Sequence, residues 1–152
     1  MRSIGVLAMA AALAGTVAAG AQGDPGTHSK LTAIAGQGAG LVEVAPTAHD
    51  VVAPGTFDVQ GTVNLHDAAP DTSFTVLRRV DLNPDGFCTG AVWMTLPSGP
   101  TAFSTSAGGA GALHFEIARA MLHDGQRFDV QWRLAGSDGS ILESDCFTVM
   151  VK

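Results

Sequence analysis

The chain has 152 residues, with 14 acidic against 8 basic side chains, a formal net charge of −6 and 19 glycines. That balance argues against nucleic acid or an anionic membrane surface as a partner, because both reward clustered Lys and Arg. Few charged residues and abundant glycine suit short strands joined by many turns.

Residues 1–21 have the layout of a cleavable secretory signal. Arg2 supplies a positive start, Ile4 to Ala19 form an uncharged run, and Ala19-Gly20-Ala21 before Gln22 reads as small-x-small. The run is short for a membrane span, which wants about 20 strongly apolar residues, and Ala and Gly dilute it. No Cys lies near the junction to accept a lipid. The expectation is a secreted or periplasmic protein without a stable membrane anchor. Loss of Arg2 with the leader makes the remainder one unit more negative. Residues 22–152 are long enough for one domain with a real core and too short for two comfortable ones.

Residues 22–40 are rich in Gly, Ala and small polar residues and read as a flexible lead-in, with Leu31 to Ala35 as a short strand inside it. The run Gly36-Gln37-Gly38-Ala39-Gly40 has no helix after it and no βαβ context, so it reads as linker rather than as a nucleotide loop. The domain is expected over 41–152. Leu41 to Ala45 form a first edge strand, ended by Pro46.

From Thr56 onward, apolar and polar residues alternate with period two. Phe57, Val59, Gly61, Val63 and Leu65 interleave with Asp58, Gln60, Thr62, Asn64 and His66. Phe74, Val76, Arg78 and Val80 follow less cleanly, then Leu113, Phe115 and Ile117, then Phe128, Val130, Trp132 and Leu134. Such segments face a core on one side and water on the other, as antiparallel sheets require. The final segment, Ser140 to Val151, ends with Phe147, Val149 and Val151 in phase. Asn83-Pro84-Asp85-Gly86, Ser106-Ala107-Gly108-Gly109 and Gly136-Ser137-Asp138-Gly139 read as hairpin turns. About seven strands and no helical repeat predict an antiparallel two-sheet sandwich of immunoglobulin-like type. The chain has no Tyr, so the tyrosine corner of many such sandwiches is absent.

Cys88 and Cys146 are the chain's two cysteines. In an exported chain an even pair most simply forms a disulfide. It closes a loop of 58 residues, for which the chain-entropy estimate is roughly 4 kcal/mol.

Other candidate sites each have a bland alternative. Asp81-Leu82-Asn83-Pro84-Asp85-Gly86 matches the first half of a calcium loop, in which Asp81, Asn83 and Asp85 would converge on the cation. The position that should carry a bidentate Glu is Val92, and Pro84, Asp85 and Gly86 are equally explained by a hairpin turn. His28, His49, His66, His114 and His123 are scattered without metal-site spacing and read as solvated. No activated Ser, Thr or Cys stands out. Asp67 with Asp71 and Glu143 with Asp145 read as exposed turn acids, so the expectation is a protein that is not an enzyme and carries no cofactor. Arg78, Arg79, Arg127 and Arg133 lie on strands. An exposed face of Arg127, Asp129, Gln131 and Arg133 would bind a carboxylate or glycan, against the plainer reading of cross-strand charge pairing. Trp93 is out of phase with Val92, Met94 and Leu96 and is expected to be buried under a bulged strand.

The region 50–152 resembles small exported bacterial domains with an immunoglobulin-like sandwich. The resemblance is carried by Ala69-Pro70-Asp71-Thr72-Ser73-Phe74-Thr75-Val76, by the Gly-rich turn before Ala112-Leu113-His114-Phe115, and by a late strand with Cys146. It implies a fold and no active site. More loosely, the region is similar to the secreted apoproteins of the neocarzinostatin type, which hold a small chromophore in a sandwich cleft. That family is usually held by two disulfides, and this chain can make one. The resulting expectation is an exported binding or structural module for an extracytoplasmic protein, peptide or glycan. Its recognition surfaces are expected at Asp81–Gly86 and His123–Gly125, since loops on a rigid scaffold usually carry recognition. Calcium-stabilised adhesion or small-ligand carriage is the alternative.

Overall fold

A computed structural model describes residues 28–48, 56–90, 92–120, 122, 123 and 125–151. The signal expected over 1–21 lies outside the described residues, as does His49. Among the described residues the protein is all-β, with no helix, and every strand pairing is antiparallel.

The strands are β1 (His28–Ala35), β2 (Ala39–Ala48), β3 (Thr56–His66), β4 (Ser73–Asp81), β5 (Met94–Thr95), β6 (Ala102–Ser104), β7 (Gly111–Ala120), β8 (Arg127–Gly136), β9 (Ile141–Ser144) and β10 (Phe147–Met150). They join in the order β5-β4-β8-β9-β1-β2-β3-β7. Two strands have segmented partners. β5 and β6 both pair with β4, and β9 and β10 both pair with β8, so the expected last strand is broken at Asp145 and Cys146.

The alternating runs become strands for the reason the pattern implies. Val59, Val63 and Leu65 of β3, Phe74 and Val76 of β4, Leu113, Phe115 and Ile117 of β7, and all four apolar positions of β8 are buried. Their polar neighbours Gln60, Asn64, His114 and Glu116 are exposed. The sheet curls as a half-barrel, so that residues far apart in strand order share one core. Phe115 of β7 packs on Trp132 of β8 with ring centroids 5.1 Å apart.

Residues 28–40, expected to be a lead-in holding a short strand at Leu31 to Ala35, belong to the sheet. β1 is an interior strand, hydrogen-bonded to β2 on one side and to β9 on the other. Leu31 is its one buried side chain, so the apolar alternation that marks a strand is missing and the two backbone ladders hold it instead. The glycines that suggested a linker make a tight β1–β2 turn. Gly36 has φ +75°, and a Cβ there would lie 2.6 Å from the Cβ of Ser140. Only glycine fits both demands.

The turn at Asn83–Gly86 also differs from expectation. Asp85 N–H donates to Asn83 O and Gly86 has φ 83°, as a tight turn requires. The chain does not return as a hairpin, however. Residues 82–90, 92 and 93 lie in no strand, and the chain rejoins β4 at Met94. Their anchors lie elsewhere: Gly86 is held by Asp129 of β8, and Cys88 by Cys146 between β9 and β10.

Candidate functional site

The outer face of β4, β8 and β9, with the 82–93 segment against it, collects most of the residues the sequence singled out. Cys88 and Cys146 are bonded, with Cα atoms 5.7 Å apart, and Cys88 is buried. Asp129 belongs in sequence to the polar face of β8 but is 0% exposed. Its Oδ2 accepts the Gly86 N–H at 2.6 Å, and its Oδ1 accepts the Thr148 hydroxyl at 2.5 Å. A fully buried carboxylate with charge-assisted donors on both oxygens is a strong local clamp. It fixes the irregular segment where no strand pairing does.

Asp81, Asn83 and Asp85 do come together, but within a single turn. Asp81 Oδ1 accepts the Asn83 N–H, Asp85 Oδ1 accepts the Phe87 N–H, and the Asn83 amide donates to Asp85 Oδ2, each at 2.9 Å. These are the Asx-type bonds that stabilise a turn. Among the described residues no three His, Cys, Asp or Glu side chains form a metal-holding group.

Beside the clamp lies an ordered polar row. Arg79 of β4 stands opposite Gln131 of β8, and Arg133 opposite Glu143 of β9. Arg133 Nε donates to Glu143 Oε1 at 2.6 Å, and its Nη2 pairs with the same carboxylate. This is the cross-strand charge pairing expected. Arg79 differs: its Nε and Nη2 donate to the neutral Gln131 Oε1 at 2.8 and 2.5 Å. Gln131 is fixed in turn by its own amide, which donates to Ser144 O at 2.7 Å.

Trp93 is half-buried against these arginines and not in the core. Its ring lies 4.8 Å from the Arg79 guanidinium carbon and 4.2 Å from that of Arg133. Its parity in the sequence put it on the face opposite Leu96, which is buried; the cation–π contacts supply what the core does not. Arg78, one residue from Arg79, turns to the core side of β4 and is buried.

The same segment displays apolar surface. Among the described residues the exposed large hydrophobics are Leu82, Phe87, Val92 and Met94, together with Ile34 of β1. Four of these five fall within 13 consecutive positions, Leu82 to Met94. No period in the sequence marks this cluster, because its apolar residues stand among the polar residues of a turn.

A second feature lies on the outer face of β1, β2, β3 and β7. His28, Glu43, Thr62 and His114 stand in register across these four strands. They line a groove of about 790 Å³ that Gly99 and Pro100 wall on one side. The Thr62 hydroxyl and His114 Nδ1 are 2.9 Å apart. The described histidines are all exposed; His66 Nδ1 pairs with its neighbour Asp67 at 2.7 Å. Around His123, the expected second recognition loop, Gln126 Oε1 accepts the His123 N–H at 2.7 Å.

Among the described residues no helix is long and apolar enough to cross a membrane. No protein-family model matches the chain, and a comparison with curated proteins gives no match.

Proposed function

We propose that the protein is an exported, disulfide-stabilised binding module whose contact surface is the segment Leu82 to Met94. The curled sheet would serve as an immunoglobulin-like sandwich does, its halves β4-β8-β9 and β2-β3-β7 closing on a shared core while one irregular segment meets a partner outside the cytoplasm. The carrying observation is the concentration of exposed Leu82, Phe87, Val92 and Met94 on a segment clamped by the Cys88–Cys146 bond and by Asp129. A soluble protein gains nothing by rigidly displaying such side chains unless something covers them. Trp, Phe, Met and Arg are also the residue types that dominate contact surfaces. The signal-like layout of residues 1–21 in the sequence and the paired cysteines support export.

Photo-crosslinking in the producing cell tests this reading. A photoreactive residue at Phe87 should yield a discrete adduct with one extracytoplasmic partner, whereas the same residue at exposed Ile34 should not. Equal adducts from both positions, or none from Phe87, would overturn it. A processed start at Gln22, read by mass spectrometry, checks export separately.

The groove over His28, Glu43, Thr62 and His114 favours a second reading, carriage of a small polar ligand. Its volume of about 790 Å³ lies in the range of small-molecule sites. Native mass spectrometry of the purified protein should then show a bound mass that Thr62→Trp removes; a single unliganded mass sinks this reading.

A further inference from the structure

We propose that Arg79, on β4 against Trp93 of that contact surface, is a preorganised carboxylate receptor, so that the partner presents a carboxylate there. The inference rests on the binding reading above and adds the ligand's chemistry. Arg79 carries a charge that no carboxylate among the described residues matches. The chain carries few cations against a net charge of −6, and Arg133, the neighbour of Arg79 under the same indole, is matched by Glu143. Arg79 has no carboxylate partner among the described residues; its protein acceptor is the neutral Gln131 Oε1.

The geometry of that one bond pair matters. A guanidinium carries five N–H donors in a planar fork. Gln131 takes Nε–H and one Nη2–H of Arg79, which occupies one edge and leaves the Nη1/Nη2 edge with two parallel donors. That edge matches a carboxylate bidentately. The side chain is already held in place, because Gln131 is anchored to Ser144 O and the Trp93 ring lies 4.8 Å from the guanidinium. A ligand therefore meets a fork whose rotamer freedom has been spent during folding, which lowers the cost of association. Arg79 is also half-buried, so an ion pair formed there is less screened than one on an open surface. A purely structural role for Arg79 would be better served by an acid at position 131, as Glu143 serves Arg133.

The test uses the full mature protein and benzoate as probe, with benzamide as its neutral analogue and inorganic sulfate as a non-planar anion at matched ionic strength. Binding is read by NMR at the Arg79 Nε–H and the Trp93 indole N–H. Benzoate should shift both saturably, benzamide should not, and sulfate should bind clearly more weakly. Arg79→Lys keeps the charge and loses the fork; it should weaken benzoate about tenfold or more while the melting temperature stays close to that of the parent. Equal responses to benzoate and benzamide, equal affinity for sulfate, no saturable shift, or unchanged benzoate affinity in Arg79→Lys would each overturn the proposal. The two readings fail separately. An adduct at Phe87 without benzoate binding removes the carboxylate site and leaves the contact surface, while benzoate binding without an adduct does the reverse.

Discussion

Asp129 and Gly86, 43 residues apart in the chain, are joined by a 2.6 Å hydrogen bond from the Gly86 N–H to a carboxylate that is fully buried. The bond carries the irregular segment across a strand to which it makes no ladder. Asp129→Ala leaves the Gly86 N–H and the Thr148 hydroxyl without their acceptor, and the expected loss is about 2–3 kcal/mol. Asp129→Asn should recover less than half of that, because its amide nitrogen turns a donor toward a donor. Urea unfolding gives the stability change, and hydrogen exchange at the Gly86 amide gives the local one. An unchanged midpoint with an unchanged Gly86 exchange rate would remove Asp129 from this role.

The second clamp acts mainly on the unfolded chain. Replacing Cys88 and Cys146 together by Ser frees a loop of 58 residues, for which the chain-entropy estimate predicts a loss of roughly 4 kcal/mol. In the same variant the amides of residues 82–93 should exchange faster than those of β8. A double variant as stable as the parent, or uniform exchange in both regions, would contradict this division of labour.

These clamps explain why part of the fold was legible in the sequence and part was not. β3, β7 and β8 bury one face each, so Val63, Phe115 and Trp132 fall into a period of two that needs no other knowledge. Of β1 only Leu31 to Ala35 is legible as a short strand, and its place inside the sheet is not, because its stability comes from backbone bonds on both edges, which leave no mark on side-chain order. Asn83–Gly86 reads as a hairpin turn because Pro84, Asp85 and Gly86 do make a turn. Where the chain goes next depends on Asp129 and Cys146, which are remote in sequence.

The candidate site was legible residue by residue but not as a site. Arg79, Arg133, Gln131 and Trp93 were each visible, yet their meeting depends on the β4–β8 register and on the path of the segment above it. Parity alone puts Asp129 on a solvated face, whereas Gly86 and Thr148 cap its carboxylate and leave it buried.

Gly61 shows a close approach that the sequence conceals. It sits opposite Phe115 in the ladder, and a Cβ there would lie 2.2 Å from Phe115 Cζ and 2.8 Å from the Glu43 carbonyl oxygen. The Phe115 ring covers the glycine and packs on Trp132, so it cannot withdraw without opening the core. Gly61→Ala should therefore cost about 2–3 kcal/mol by overpacking. Adding Phe115→Leu should relieve the ring clash, so the double variant should lose less than the sum of the two single losses. Strict additivity in thermal or urea unfolding would show that the ring is not what Gly61 accommodates.

Asp138, in the turn between β8 and β9, gives the pH-dependent expectation. Its Oδ1 accepts the Ser140 hydroxyl at 2.5 Å and the Ser140 N–H at 3.0 Å. The hydroxyl first and the backbone N–H second hold the carboxyl below its ordinary value. Because the folded value lies below the unfolded one, this contribution is present above the unfolded pKa and is lost as pH falls through the folded one. Ser140→Ala removes the larger cause and keeps the backbone donor. The Asp138 carboxyl carbon, followed by NMR, should then titrate at higher pH than in the parent while remaining below an unperturbed Asp. The stability lost on acidification through Asp138 should be smaller in this variant and complete at higher pH, because its onset is set by the unfolded value, which does not change. A titration midpoint that does not move in Ser140→Ala would mean that the hydroxyl bond does not set the ionisation of Asp138.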